Sequence, residues 1–152
     1  MIELVIFSGL QASGKSSFFR ERFAATHEHV SKDAWPNARK REARQRRLVD
    51  EHLRAGRSVV VDNTNPTADE RVPLVAIAKA AGARVASYSF IVSVDEAVRR
   101  NATREGRAKI ENVGIYAVAK RLVVPCAAEG FDELFEVRAI DGAFVVSHAQ
   151  IG

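Results

Sequence analysis

Residues 9–16 read Gly-Leu-Gln-Ala-Ser-Gly-Lys-Ser, which matches the phosphate-binding pattern Gly-x-x-x-x-Gly-Lys-Ser/Thr at every fixed position. Gly9 and Gly14 permit backbone angles that turn successive N–H groups toward phosphate oxygens. Lys15 can place a cation on the β- and γ-phosphates of ATP, and Ser16 can offer its hydroxyl group to Mg²⁺. A helix that begins at Lys15 would point the positive end of its dipole at the same phosphates. We expect these residues to contact the nucleotide: Gly9, Gln11, Ala12, Ser13, Gly14, Lys15, Ser16 and Ser17.

The sequence around this loop alternates between strand and helix patterns. An apolar run at 2–7 precedes the loop and a helical pattern at 15–26 follows it, which is the context that the motif requires. The remaining predicted elements are strands at 29–30, 58–61 and 84–92, helices at 37–55, 68–81, 94–104 and 112–124, and a hairpin of 134–138 and 143–147. Strands separated by helices predict an α/β protein with the P-loop NTPase fold, a three-layer α/β/α arrangement around a mostly parallel sheet. No linker or repeat divides the chain, so we expect one domain over residues 1–152.

Composition and charge limit the class of protein. The 152 residues, 47% of them apolar, fit one globular core. The one cysteine, Cys126, excludes an intrachain disulfide and fits a reducing compartment. No apolar stretch reaches the roughly 18 residues of a membrane-spanning helix, so we expect a soluble, cytoplasmic protein without a membrane partner. The net charge of +4 favours polyanionic partners, although a charge that serves solubility alone explains it equally well.

A carboxylate ends one of the predicted central strands. Asp62 follows the apolar run at 59–61 and is followed by Asn63-Thr64-Asn65-Pro66. Ligands of such sheets bind at the carboxyl ends of the strands, so we expect Asp62 near the phosphate loop, where it could hold a Mg²⁺-bound water. Alternatively, Asp62 and Thr64 simply cap the helix that follows.

Lys32 and Asp33 come directly after the short strand at 29–30. At the same edge of the sheet, Asp33 could accept the proton of a hydroxyl group during phosphoryl transfer. Lys32 beside it could bind a phosphate of the acceptor. From the residues alone, Asp33 is more simply explained as a turn residue.

In their order along the chain, these segments resemble the kinase domain of the 5′-polynucleotide kinase family, best known from bifunctional polynucleotide kinase/phosphatases. The resemblance covers most of residues 2–138 and is carried by the phosphate loop, Val30-Ser31-Lys32-Asp33, Val61-Asp62-Asn63-Thr64-Asn65-Pro66, Ala80-Ala81-Gly82, Glu96-Ala97-Val98-Arg99-Arg100-Asn101 and Ala128-Glu129-Gly130-Phe131. It implies an ATP-dependent kinase whose acceptor is a hydroxyl group, in the first place the 5′-hydroxyl end of a nucleic acid. It also implies that Asp33 is the general base.

The resemblance further implies an arginine-rich lid over roughly residues 99–112. Arg100 and Arg104 fit best as its phosphate contacts, because their i, i+4 spacing would put both on one helix face and the guanidinium fork suits phosphate oxygens. The segment 105–111 would close over the site. A solvated helix surface with exposed Arg99, Arg100, Arg104 and Arg107 is the alternative.

Two departures from the family pattern leave the acceptor open. No phosphatase Asp-x-Asp-x-Thr motif occurs in the chain. Ala34-Trp35-Pro36 stands where some relatives carry an arginine for the acceptor phosphate, and the first arginine after Asp33 is Arg39. A nucleoside or sugar-like alcohol is therefore an alternative acceptor, and a nucleotide-dependent NTPase switch or a nucleic-acid-binding module that uses ATP only structurally are alternative functions. The residues expected to contact the acceptor are Lys32, Arg39, Asn63 and Thr64.

A basic stretch follows Pro36 and comprises Arg39, Lys40, Arg41, Arg44, Arg46 and Arg47. Such a density of positive charge favours a nucleic-acid backbone, and Trp35 nearby could stack on a base. A solvated helix with Trp35 packed in the core explains the same pattern equally well.

Overall fold

The computed structural model describes residues 1–106 and 109–149. Two short 3-10 turns lie at Lys32–Ala34 and Ala127–Glu129. The strands and helices in chain order are β1 Glu3–Ser8, α1 Lys15–Arg22, β2 His27–Val30, α2 Arg41–Arg54, β3 Ser58–Asp62, α3 Ala68–Ala80, β4 Arg84–Phe90, α4 Val94–Ala102, α5 Asn112–Arg121, β5 Glu133–Ile140 and β6 Ala143–His148. Each predicted strand and helix is present, with differences at its ends.

The strands form one sheet in the order β2-β3-β1-β4-β5-β6. β1 to β5 run parallel, and β6 returns antiparallel along β5. In the pairing of β1 with β3, Phe7 lies opposite Asp62. The end of β3 is thereby brought beside the start of the phosphate loop. The predicted mostly parallel α/β fold is confirmed.

The side chains of β1 alternate between two hydrophobic clusters, one on each face of the sheet. Leu4 and Ile6 pack in the cluster that contains residues of α2 and α3. Val5 and Phe7 pack in the cluster that contains three phenylalanines at or just after α1, namely Phe18, Phe19 and Phe23. A central strand that is buried on both faces explains why the predicted strands are continuously apolar rather than alternating.

All five predicted helices have different ends in the structure: α1 ends at Arg22 rather than at residue 26, and α3 ends at Ala80 rather than at residue 81. α2 begins at Arg41 rather than at residue 37, because Lys40 has a left-handed φ of 54° that a helix cannot continue through. α4 ends at Ala102 rather than at residue 104. α5 ends at Arg121 because Leu122 is extended, and the N–H of Val123 then donates to the carbonyl of Pro66 at 2.7 Å.

The expected domain of residues 1–152 includes Arg107 and the last three residues of the chain, which lie outside the described residues. None of the helices within residues 1–106 and 109–149 is both long and apolar enough to cross a membrane.

Candidate active site

The phosphate loop adopts backbone angles that its two glycines make possible. Gly9 and Gly14 have φ values of 149° and 97°, which side chains rarely allow. A Cβ atom on Gly9 would lie 3.0 Å from the Cβ of Phe90, and one on Gly14 would lie 3.0 Å from the ring of Phe144. Close packing against β4 and β6 therefore requires glycine at both positions. Gly14 caps α1, which begins at Lys15 as expected.

Lys15 is buried and folded back onto the loop. Its Nζ donates to the carbonyls of Gly9 at 3.1 Å and Leu10 at 2.6 Å, and to the Oγ of Ser13 at 3.2 Å. Burial lowers the pKa of Lys15 to about 8, although Asp62 nearby opposes this change. The positive charge of Lys15 is buried and is held mainly by neutral oxygens, which compensate it poorly. An anion in this loop would therefore stabilise the charged form of Lys15.

Asp62 is buried at the end of β3 and accepts hydrogen bonds from two sides. Its Oδ2 lies 2.9 Å from the Oγ of Ser16 and 2.8 Å from the Nε2 of His29, whose ring packs 4.4 Å from that of Phe19. Sequence reasoning did not identify His29, because no motif marks it. Its position on β2, the strand next to β3, is the only signal that could have done so.

The hydroxyl of Ser16 and the carboxylate of Asp62 are oxygen donors of the kind that Mg²⁺ prefers. In the described part of the chain, no group of three or more His, Cys, Asp or Glu residues could hold a metal ion. A single carboxylate with one hydroxyl still fits Mg²⁺, because this ion keeps several waters and is held largely by substrate phosphates in nucleotide sites. The pair Ser16 and Asp62 therefore fits the expected magnesium ion.

A cavity of about 770 Å³ opens beside the loop. It brings together Lys15, Asp33 and Arg104, which are far apart in sequence, and Asp62 also lines it. The described residues that line it are Gln11, Lys15, Ser16, Lys32, Asp33, Ala34, Pro36, Arg41, Asp62, Asn63, Thr64, Arg104 and Ile110. Most of the expected catalytic and acceptor residues thus share one cavity.

Arg100 and Arg104 do not share a helix face, because α4 ends before Arg104. Arg100 points to Glu96 instead, with its Nε 3.0 Å from Oε1, and it does not line the cavity. Arg104 does line it, and its charge adds to the lowering of the pKa of Lys15. The alternative explanation, an exposed and solvated helix surface, also included Arg99 and Arg107. Arg99 pairs with Glu96, and Arg107 lies outside the described residues.

Arg41, rather than the expected Arg39, lines the cavity together with Lys32 and Asp33. Arg39 is exposed in the turn before α2 and does not line the cavity. Arg41, in the first turn of α2, lines it and donates from Nη1 to the carbonyl of Lys32 at 3.3 Å. The ammonium group of Lys32 pairs with Glu42.

The remaining basic residues of this stretch lie on the outer surface of α2 and the turn before it, where Arg39, Lys40, Arg44, Arg46 and Arg47 are exposed. Trp35 is partly buried against the hydrophobic core. The guanidinium of Arg44 lies 4.6 Å from the centre of its ring, so this ring face is already occupied.

Residues 62–66 connect several parts of the site, and they are not a helix cap. The N-cap position of α3 is Thr67, whose side chain makes no capping hydrogen bond, so the simpler explanation of Asp62 and Thr64 as cap residues is wrong. The carbonyl of Thr64 accepts from the N–H of Gly9 at 3.0 Å, and the Nδ2 of Asn65 donates to the carbonyl of Phe7 at 2.7 Å. The segment therefore fixes the start of the phosphate loop.

A buried ion pair contacts the backbone of this segment at Asn65. Arg71 is fully buried and donates to both carboxylate oxygens of Glu129, at 2.7 and 3.0 Å. Its Nη1 also donates to the carbonyl of Asn65 at 2.8 Å. Sequence reasoning missed this pair, because its partners are 58 residues apart.

Asn101 closes the base of the expected lid. Its side chain is buried, accepts from the N–H of Ile110 at 3.0 Å and donates to the carbonyl of the same residue at 2.6 Å. The phosphate loop contacts the next helix, because the Nε2 of Gln11 lies 3.4 Å from the carbonyl of Gly114. Both ends of the segment between α4 and α5 are thus held beside the cavity.

Comparison with known proteins gives one family and several similar folds. A family model described as an AAA domain matches residues 4–122. The bifunctional polynucleotide phosphatase/kinase of Schizosaccharomyces pombe is 26% identical over 139 residues, which is 89% of this chain, and the chain spans 33% of the length of that relative. This similarity confirms the resemblance predicted from the motifs.

Two solved structures share the fold at low sequence identity. Kti12 from Chaetomium thermophilum, in complex with ADP-AlF3, is 19% identical with a TM-score of 0.65, over 91% of this chain and 90% of that one. A gluconokinase from Sinorhizobium meliloti 1021 is 18% identical with a TM-score of 0.63, over 90% of this chain and 82% of that one.

Proposed function

The chain belongs to the AAA domain family, and we propose that it is an ATP-dependent kinase that transfers the γ-phosphoryl group to the 5′-hydroxyl end of a nucleic acid. The observation that carries this proposal is the cavity in which Lys15, Asp33 and Arg104 meet. A buried cation, an exposed carboxylate and an arginine around one space provide the groups that phosphoryl transfer to a hydroxyl requires.

The donor side is the phosphate loop. Its N–H groups and the start of α1 would bind the ATP phosphates, and Lys15 would turn from the loop carbonyls to phosphate oxygens. Ser16 and Asp62 would hold Mg²⁺, which would supply further positive charge for the transfer. The similar fold of Kti12, which was solved in complex with ADP-AlF3, supports the proposal that this chain binds a nucleotide.

Asp33 would serve as the general base. It lies at the cavity, exposed in the turn Lys32–Ala34, where a hydroxyl acceptor can reach it. As the acceptor oxygen bonds to the γ-phosphorus, the bond from that phosphorus to the leaving oxygen of ADP breaks. The hydroxyl proton passes to the carboxylate of Asp33.

Arg104 would stabilise the charge that spreads over the transferring group, together with Lys15. Because Arg104 lies between Asn101 and Ile110 in the chain, movement of the segment that these two residues close would carry the arginine toward or away from the phosphates and exclude water. Arg100 would reach the phosphates only after leaving Glu96.

The proposal of a nucleic-acid acceptor rests on the positive charge at the Asp33 side. Lys32 and Arg41 line the cavity there, and further basic residues of α2 are exposed to solvent. A chain of phosphates would be favoured by these charges, since a polyanion gains from each added cation. Asn63 and Thr64 lie on the same side. The Schizosaccharomyces pombe relative supports this choice of acceptor.

The test is transfer of labelled γ-phosphate from ATP with Mg²⁺ to a 5′-hydroxyl oligonucleotide, beside a nucleoside, gluconate and an acceptor-free control. We expect label on the oligonucleotide, and its loss in Asp33→Asn while ATP binding persists. Asp50→Asn is the matched control, because its carboxylate pairs with Arg54 on the surface of α2 and should leave transfer unchanged. An Asp33→Asn variant as active as the wild type would refute the role of Asp33.

A small alcohol is the second candidate acceptor. The gluconokinase with a similar fold favours it, and so does the occupied ring face of Trp35, which leaves less surface for stacking a base. Label on gluconate or the nucleoside, but not on the oligonucleotide, would select this alternative. Release of phosphate without any labelled acceptor would instead indicate an NTPase.

A further inference from the structure

The turn that carries Asp33 is short and depends on its surroundings for a fixed orientation. It is a single 3-10 turn, in which the N–H of Ala34 donates to the carbonyl of Ser31 at 3.1 Å. The side chain of Ser31 caps it by accepting from the N–H of Asp33 at 3.2 Å. Single 3-10 turns have poor hydrogen-bond geometry and hold little stability of their own.

Asn63, which directly follows β3, holds this turn through its side-chain oxygen. Its Oδ1 accepts from the N–H of Lys32 at 2.9 Å and from the Oγ of Ser31 at 3.3 Å. Because Ser31 gives its proton to Asn63, its lone pairs remain to accept from Asp33. The amide oxygen of Asn63 thus holds both the backbone of Lys32 and the hydroxyl group that caps the turn.

The orientation of the Asn63 amide is set by Gln45. The Nδ2 of Asn63 donates to the Oε1 of Gln45 at 2.7 Å, and Gln45 is 1% exposed on the inner face of α2. With the amide reversed, its NH₂ group would face the N–H of Lys32, which would lose its acceptor, and its oxygen would face the Oε1 of Gln45. The acceptor oxygen of Gln45 and the N–H of Lys32 therefore favour the same orientation, the one that holds the turn.

We propose that Gln45 is a positioning residue for phosphoryl transfer, which acts through Asn63 to align the carboxylate of Asp33 with the acceptor hydroxyl. The inference rests on the proposed role of Asp33. Asn63 was expected from the sequence to contact the acceptor. This inference assigns it a different role, because its amide atoms already form hydrogen bonds with the turn and with Gln45 of α2. Arg41, one helical turn before Gln45, also holds the turn, because it donates a hydrogen bond to the carbonyl of Lys32.

The experiment compares Gln45→Met, which keeps the volume but has no strong acceptor, with Gln45→Glu, which keeps an acceptor oxygen. Val49→Ala is the matched control, because Val49 is a fully buried core residue of the same helix and does not line the cavity. Each variant is assayed for kcat of transfer per folded molecule, for KM of ATP and for hydrogen exchange at the Lys32 amide, with whichever acceptor the wild-type protein phosphorylates.

We expect Gln45→Met to lower kcat by about 10- to 100-fold, the effect of a small misalignment of a reacting group. The KM of ATP should stay within about twofold, because the donor side is untouched. Exchange at Lys32 should accelerate in Gln45→Met and not in Val49→Ala. Gln45→Glu should recover most of the lost kcat.

A Gln45→Met variant with the kcat of Val49→Ala, while Asp33→Asn is inactive, would overturn the inference alone. If Asp33→Asn keeps the wild-type kcat, Asp33 is not the base, and the proposed function and the inference fail together. Equal losses of kcat in Gln45→Met, Gln45→Glu and Val49→Ala would assign Gln45 a purely structural role.

Discussion

The buried ion pair behind the phosphate loop allows a quantitative prediction for Glu129→Gln. Arg71 is fully buried and the side chain of Glu129 is 6% exposed. Glutamine keeps the shape, but it removes the negative charge and turns an NH₂ group toward the guanidinium. Breaking one partner of a buried pair costs about 3–5 kcal/mol. We expect a value near the lower limit, because the amide oxygen still accepts one hydrogen bond.

The assay is equilibrium unfolding in urea. With a slope of about 2 kcal/mol per molar urea, typical of small proteins, a loss of about 3 kcal/mol moves the midpoint by about 1.5 M. The surface pair of Asp50 and Arg54, whose Oδ1 and Nε are 2.9 Å apart, provides the control. Arg54→Gln should cost less than about 0.5 kcal/mol, because both side chains are largely exposed.

The double variant Arg71→Met with Glu129→Leu decides between two explanations. If the cost of Glu129→Gln comes from an uncompensated buried charge, removal of both charges should be less destabilising than Glu129→Gln, although more polar atoms are deleted. A cost of about 1–2 kcal/mol should remain, because the carbonyl of Asn65 loses its donor. A double variant less stable than Glu129→Gln would refute this reasoning and show that the pair itself is strongly stabilising.

Three further predictions concern the loop, the acceptor and pH. Gly14→Ala should abolish binding of a fluorescent ATP analogue, measured by titration, because alanine is strained at a φ of 97° and meets the ring of Phe144 at 3.0 Å. Arg41→Ala should raise the KM of the oligonucleotide more than Arg39→Ala does, since only Arg41 lines the cavity; equal effects would contradict the assignment. The hydrogen bond from His27, with help from Arg84, lowers the pKa of Glu3 from 4.5, so its stabilisation is complete above that value and disappears as the pH falls below it. The difference in unfolding free energy between the wild type and Glu3→Gln should therefore be largest near neutrality and shrink toward pH 3.

Sequence reasoning predicted well those parts of the site that local patterns determine. The loop glycines, Lys15 and Ser16 follow from a contiguous motif, and α1 begins at Lys15 as expected. Asp62 was placed correctly because the ends of parallel strands meet at one edge of the sheet. The cavity also contains Asp33, although its role as a base stays a prediction.

The errors arose where helix ends decide which side chain faces the cavity. Arg39 and Arg41 differ by two residues, and the left-handed Lys40 between them determines which one belongs to α2. Likewise α4 stops two residues before Arg104, so the i, i+4 spacing from Arg100 never applies. Propensity cannot locate such ends, because one residue with an unusual backbone angle outweighs a favourable helical composition.

Other residues were missed because their partners are distant in sequence. His29 contacts a carboxylate 33 residues away, and Gln45 contacts an amide 18 residues away. Each looks like an ordinary polar residue in its own element. Only the arrangement of the sheet shows that each of these polar groups lies beside the site, and that the buried Gln45 must satisfy its hydrogen bonds there.

The five residues 62–66 show why a short polar string can identify a family better than the phosphate loop does. The loop needs only to bind phosphate, which many sites require. In this string, Asp62 holds Ser16, the amide of Asn63 orders the Asp33 turn, and the amide of Asn65 holds the carbonyl of Phe7. Each side chain faces a different element, so the loss of any one would release a different part of the site. These partners join the phosphate loop to the turn that carries the proposed base, so in the proposed reaction the string would align the donor side with Asp33, a task beyond nucleotide binding alone.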